Sequence, residues 1–160
     1  MAKEKEKTKA TDTGVVAKNR RATFDFELGT KYEAGVALIG SEARSLRLNG
    51  GDVSSAWVDI DHRGEAWVKE MRIPVLNHAA FGHVEKRARK LLLHRAEIEA
   101  LRGARDRDGM TLIVTRCYFK EGRAKIEFAV ARGKKKYDKR QSLREKDSAR
   151  EARQEIRRSR

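Results

Sequence analysis

The sequence is short of nearly everything that announces a reaction. Its single cysteine, Cys117, leaves no partner for an intramolecular disulfide and too few thiols for a cysteine zinc cluster, which suits a reducing cytoplasm. Cys117 alternates with its neighbours in a predicted strand and reads as a buried structural thiol rather than a nucleophile. Aromatics make up only 6%, and Pro74 is the only proline. The histidines His62, His78, His83 and His94 are scattered over separate segments, with no H-E-x-x-H and no close pair to hold a metal. There is no glycine-rich phosphate loop. No apolar run approaches the roughly 18 residues of a membrane span, and the N-terminus alternates Lys and Glu where a secretory leader needs an apolar stretch. The expectation is a cytoplasmic protein with no catalytic residue, no cofactor, no metal and no membrane contact.

Positive charge is what the chain has in quantity. Lys and Arg number 38 against 24 Asp and Glu, a net of +14, and charged and hydrophobic residues each make up 39%. The core must be small and the surface heavily ionised, and so basic a balance points to a polyanion, nucleic acid above all. The excess sits at the two ends: residues 1–21 carry +4 and residues 133–160 carry +7, whereas the 111 residues between them carry +3.

Periodicity outlines the middle. Residues 1–13 are polar and aperiodic and predict a disordered extension. Residues 23–28 alternate, with Phe24, Phe26 and Leu28 on one face, as a half-buried strand does, and residues 32–39 continue in that style. Gly40 breaks the run. Ser41 can cap a short helix carrying Glu42 in its first turn, with Leu46 as its core contact and Asn49-Gly50-Gly51 as its stop. Residues 53–60 and 65–73 are strand-like around a turn at Asp61-His62-Arg63-Gly64, with Trp57 and Trp67 inside them. Residues 74–90 form a long connection without a period. A helix over 95–102, with Leu93, Ala96, Ala100 and Leu101 on one face and Gly103 as its stop, precedes a hairpin of residues 111–119 and 124–131. Six or so strands with two or three short helices suggest a small antiparallel, mainly β barrel of the oligonucleotide-binding type, over residues 14–132.

Residues 133–160 offer almost nothing to bury. Ordering costs about 1–2 kcal/mol per residue, so this basic tail should be disordered when free. Its residues are nevertheless good helix formers, and Arg144 with Asp147, Asp147 with Arg150, and Glu155 with Arg158 have helix-surface spacing, so it should become helical when bound. Three runs combine cations with polar or aromatic groups suited to RNA: Asn19-Arg20-Arg21, Lys86-Arg87-Ala88-Arg89-Lys90 and Lys134-Lys135-Lys136-Tyr137.

Four ordered blocks carry a resemblance. Asn19-Arg20-Arg21-Ala22; Tyr32-Glu33-Ala34-Gly35 with Gly40-Ser41-Glu42 and Ser45-Leu46-Arg47; Arg89-Lys90-Leu91-Leu92-Leu93-His94; and Gly133-Lys134-Lys135 with Tyr137-Asp138-Lys139-Arg140 resemble the signature blocks of the SsrA-binding protein family, also called small protein B. The likeness covers roughly residues 14–145. It departs at Arg44, where the family usually has lysine, and at Val114, where a proline is common.

The resemblance implies an adaptor, not an enzyme. Its partners would be the tRNA-like domain of transfer-messenger RNA and the 70S ribosome, whose small-subunit decoding centre and empty mRNA channel receive the tail during trans-translation. The protein would act as a monomer on the RNA. By position, Asn19, Arg20, Arg21, Glu33, Lys90, Leu92, His94, Lys134 and Lys135 are the implied RNA-binding residues. Tyr137, Asp138, Lys139 and Arg140 are the implied ribosome-contacting ones. The residues alone also fit a ribosome-associated or rRNA-assembly protein without a transfer-messenger RNA role; an enzyme with a hidden site is the third reading.

Overall fold

The computed structural model describes residues 14–76, 82–106 and 109–158; the N-terminal extension expected over residues 1–13, and His78, lie outside them. Among the described residues seven strands make one antiparallel sheet: β1 (Val15–Lys18), β2 (Phe26–Val36), β3 (Trp57–Ile60), β4 (Ala66–Lys69), β5 (Arg89–Leu92), β6 (Thr111–Lys120) and β7 (Arg123–Gly133). The spatial order is β1-β6-β3-β4-β5-β2-β7, and pairing of β6 with β7 closes six of them into a ring, with β1 added on β6. Closure leaves a barrel without free edges in those six. Among the described residues four helices decorate it: α1 (Ala22–Asp25), α2 (Gly40–Asn49), α3 (Arg95–Arg105) and α4 (Lys136–Arg158).

The interior is filled by alternate residues, as the pleat requires. Val58, Val68, Leu112, Val114, Ile126 and Phe128 are all buried. Leu46 and Leu101 seal the barrel from α2 and α3 and are 0% exposed. A smaller cluster lies elsewhere: Ala22, Ile113 and Ala131 are buried with Phe26, Leu28 and Trp57 against them, which seats α1 on the sheet. The β6–β7 hairpin turns through Glu121 (φ 52°) and Gly122 (φ 73°); two successive positive φ values match the strands' right-handed twist.

Several sequence expectations are corrected. Residues 23–25 are helical, not extended: Asp25 N–H donates to Arg21 O at 2.9 Å, and the strand starts only at Phe26. From there the two predicted strands are one, irregular between Leu28 and Lys31. Ser41 does not cap α2; Glu42 reaches back instead, its Oε2 accepting from Ile39 N–H at 3.0 Å. Gly103 lies inside α3, and the helix buries Leu101 with Ile98 packed against the core, whereas Ala96 and Ala100 face solvent. The tail, expected to become helical, is one 23-residue helix, α4. That length exceeds the ~12–15 residues at which an isolated helix becomes sustainable. Its side chains also brace its turns, as in Gln141 Nε2 donating to Glu145 Oε1 at 3.2 Å.

Candidate nucleic-acid interface

Asn19 sits at a seam. Along one edge β6 pairs first with β3, through Leu112 and Ile113, and then with β1, through Arg116 to Tyr118. The changeover leaves carbonyls without ladder partners, and the Asn19 amide fills it. Its Nδ2 donates to Ser54 O and Val114 O, each at 3.2 Å, and its Oδ1 accepts from Arg21 N–H at 3.1 Å. The side chain is buried and its hydrogens are both engaged. What it presents to solvent is its neighbours: Arg20 and Arg21 are exposed on the turn it fixes. Around them a shallow pocket gathers Lys18, Arg20, Lys31 and Arg116 with Thr23 and Glu127.

A second site lies where β4, β5 and α3 meet. Leu91 points into the core, so Lys90 and Leu92 point out. They line a groove of about 590 Å³ together with His94, Arg63, Arg95 and Arg102. Leu92 is 61% exposed, a large apolar side chain left in water among cations. Lys90 is paired with Glu65. Arg63, Arg95 and Arg102 were missed by sequence reasoning; Arg95 and Arg102 lie on α3, which follows β5 directly, and the pairing of β4 with β5 brings Arg63, in the turn before β4, to the same groove.

Glu33 stands between the two sites on the outer face of β2, opposite Glu127. Its carboxylate accepts from Lys125 Nζ and from the Tyr118 hydroxyl. The Lys125 contact, then that of Tyr118, holds Glu33 below the usual carboxylate range. Burial and the neighbouring Glu33 push the Tyr118 phenol up. Glu33 thus stays ionised with acceptor capacity to spare, since a carboxylate can take about four hydrogen bonds.

The 86–90 run does not form the free basic patch that its composition suggested. Arg89 is 0% exposed. It donates to Glu42 Oε1 at 2.9 Å and to the carbonyls of Met71, Arg87 and Glu85. Arg87 grips the same carboxylate in bidentate fashion, at 2.7 Å to each oxygen. Burial acts to raise the Glu42 pKa, but the Arg87 and Ile39 hydrogen bonds and the Arg89 charge outweigh it, and the net shift is downward. Lys86 pairs with Glu70 at 3.2 Å. This charge cluster ties residues 85–89 to α2. Nothing in a one-dimensional pattern links Arg89 to an acid 47 residues earlier.

At the joint, Lys134 N–H donates to Asp25 O at 3.0 Å and Lys134 Nζ to Thr23 O at 2.9 Å, so β7 leaves the barrel beside the Asn19–Arg21 turn. Lys135, Tyr137, Asp138 and Arg140 are exposed at the root of α4, Tyr137 by 75%, whereas Lys139 folds back onto Asp25. Among the described residues no group of three or more His, Cys, Asp or Glu is placed to hold a metal, and no helix is long and apolar enough to cross a membrane.

Comparison with known proteins matches residues 16–158 to the family described as SmpB protein, reaching further into the tail than the four blocks do. The chain is 47% identical over 149 residues to an SsrA-binding protein of Sorangium cellulosum, covering 93% of this chain and 91% of that one. An SsrA-binding protein of Streptomyces coelicolor is 42% identical over 157 residues, covering 98% and 94%. A solved structure described as "tmRNA-SmpB: a journey to the center of the bacterial ribosome" superposes with a TM-score of 0.65 at 34% identity, over 83% of this chain and 95% of that chain.

Proposed function

The chain belongs to the SmpB family, the SsrA-binding proteins, and from that premise we propose that it is an RNA-binding adaptor that carries transfer-messenger RNA to stalled ribosomes for trans-translation. The observation that carries this reading is that the likeness runs through the barrel and on to the end of the tail helix, residues 16–158. A protein sharing only the barrel's RNA chemistry would not need the tail.

The labour divides between a body, residues 14–132, and a tail, residues 133–160. On the body, Leu92 packs against an unstacked base of the tRNA-like domain while Lys90, His94 and the arginines around the groove meet phosphate. Glu33 accepts from a base edge or a 2′-hydroxyl. Arg20, Arg21, Lys134 and Lys135 take phosphates at the other pole. Asn19 serves by holding that turn in place, because its own donors are occupied. On the tail, Tyr137 stacks on small-subunit rRNA, and Asp138, Lys139 and Arg140 begin the segment that enters the decoding centre and mRNA channel. The protein acts as a monomer in the cytoplasm and performs no reaction of its own.

A binding competition tests this. At physiological salt the purified chain should bind a transcript of the tRNA-like domain at least tenfold more tightly than rRNA fragments or bulk tRNA. Equal affinity for all three would overturn the reading, since charge alone gives no preference.

A further inference from the structure

The body's RNA-gripping turn and the tail's root meet at a single carboxylate. Asp25 closes α1, and its two oxygens go to two different cations. Oδ1 accepts from Lys139 Nζ at 3.2 Å, and Oδ2 lies 3.6 Å from Arg21 Nε. Lys139 belongs to the tail and Arg21 to the turn that Asn19 fixes. The partners are unequally held: the Arg21 side chain is 77% exposed at the longer distance, and Lys139 is 36% exposed at the shorter. Arg21 is the more exposed and the more loosely held of the two cations, and so the one more open to an RNA phosphate.

We propose that Asp25 is a positioning residue that couples RNA binding to the seating of the tail. Resting on the functional reading above, the coupling has a definite sign. When a phosphate neutralises Arg21, the repulsion between Arg21 and Lys139 is cancelled and the Asp25 carboxylate is left to Lys139 alone. The root of α4 is then held more firmly in the RNA-bound protein than in the free one. By linkage, a seated tail tightens RNA binding by the same factor. Partly exposed ion pairs of this kind are worth little individually, so the expected factor is about two- to fivefold.

Amide hydrogen exchange over residues 139–143 reads this directly, in the full-length chain, free and saturated with a transcript of the tRNA-like domain. In the wild type, RNA should slow exchange there about two- to fivefold. Asp25→Asn should exchange faster than wild type when free and show no slowing with RNA, while Asp25→Glu should recover most of the change. A merely structural role for Asp25 would leave the RNA-dependent slowing intact in Asp25→Asn, and that result, or RNA bound by the wild type without slowing, overturns the proposal. Thermal melting checks that the variant keeps its barrel; if it does not, Lys139→Gln, which lies outside the barrel, carries the same comparison. A wild type that does not bind the transcript overturns the functional reading instead. The free-chain comparison then still judges the contact, because equal exchange in wild type and Asp25→Asn sinks it.

Discussion

Arg89 and Arg140 are the same residue type in opposite circumstances. Arg89, 0% exposed, donates to a buried glutamate and three backbone carbonyls, and Arg87 closes on the same glutamate from outside. Arg140 stands in solvent at the root of a helix whose described side chains are nearly all exposed. In the barrel, basic residues are fixed by what the fold sets opposite them. In the tail most are left available to a partner, although Lys134 and Lys139 are held by the barrel. Density of charge along the chain does not separate the two cases, because the 86–90 run and the 134–136 run look alike until an acid is placed beside one of them.

Removing the tail breaks this contrast most severely. A chain ending at Gly133 should keep its affinity for the tRNA-like domain within about fivefold, losing only charge contacts of the kind worth ~1 kcal/mol, while tagging of nascent chains on stalled ribosomes falls to background; tagging that survives would remove the tail from the proposed role. The next largest effect lies in the barrel. Glu42→Ala strands Arg89 as an uncompensated buried charge and should cost about 3–5 kcal/mol in denaturant unfolding, whereas neutralising any one tail arginine should leave stability unchanged. Leu92→Ala should weaken binding of the tRNA-like domain by about tenfold, the worth of ~1–2 kcal/mol of apolar contact. Because Leu92 is 61% exposed in the free protein, the melting temperature should hold.

Acid gives the smallest effect. Glu42 and Glu33 both have folded pKa values below their ordinary ones. Each therefore adds stability that is fully present above the unfolded glutamate value of about 4.3 and is lost as pH falls through the lower folded value. Stability measured from pH 6 down to pH 3 should be flat at first and then decline below about pH 4.3, with a shallower decline in Glu42→Gln. An identical profile in that variant would mean that Glu42 titrates normally.

Local chemistry made part of the architecture legible in advance. The β6–β7 hairpin, the turn at Gly64 with its φ of 77° and the burial of Leu46 and Cys117 all follow from residues within a few positions of one another. Cys117 is buried, and that burial pushes its thiol up to about 12. Where neighbours mislead, the reading fails: Phe24 and Phe26 alternate as in a strand, yet seating Ala22 on Ile113 and Ala131 turns residues 22–25 helical. β1 is four residues long and too short to show a period; it exists because β6 has an edge free for it beyond β3. The implied site residues could be named one by one, but how the barrel sorts them, into a groove at Leu92 and a pole at Arg20, could not. That division depends on β2 running the length of the barrel, from Phe26 opposite Gly133 to Gly35 opposite Leu92.

The unbroken run of α4 has a mechanical consequence. At 1.5 Å per residue its 23 residues make a rod of about 34 Å. Rotating its base by only ~10° sweeps its tip through roughly 6 Å, more than one helical turn. A lever of that length converts sub-ångström adjustments around Asp25 and Lys134 into displacements comparable to the spacing between nucleotides. The far end of the protein is therefore aimed from its base, and the contacts that set the aim are a handful of polar atoms on the barrel.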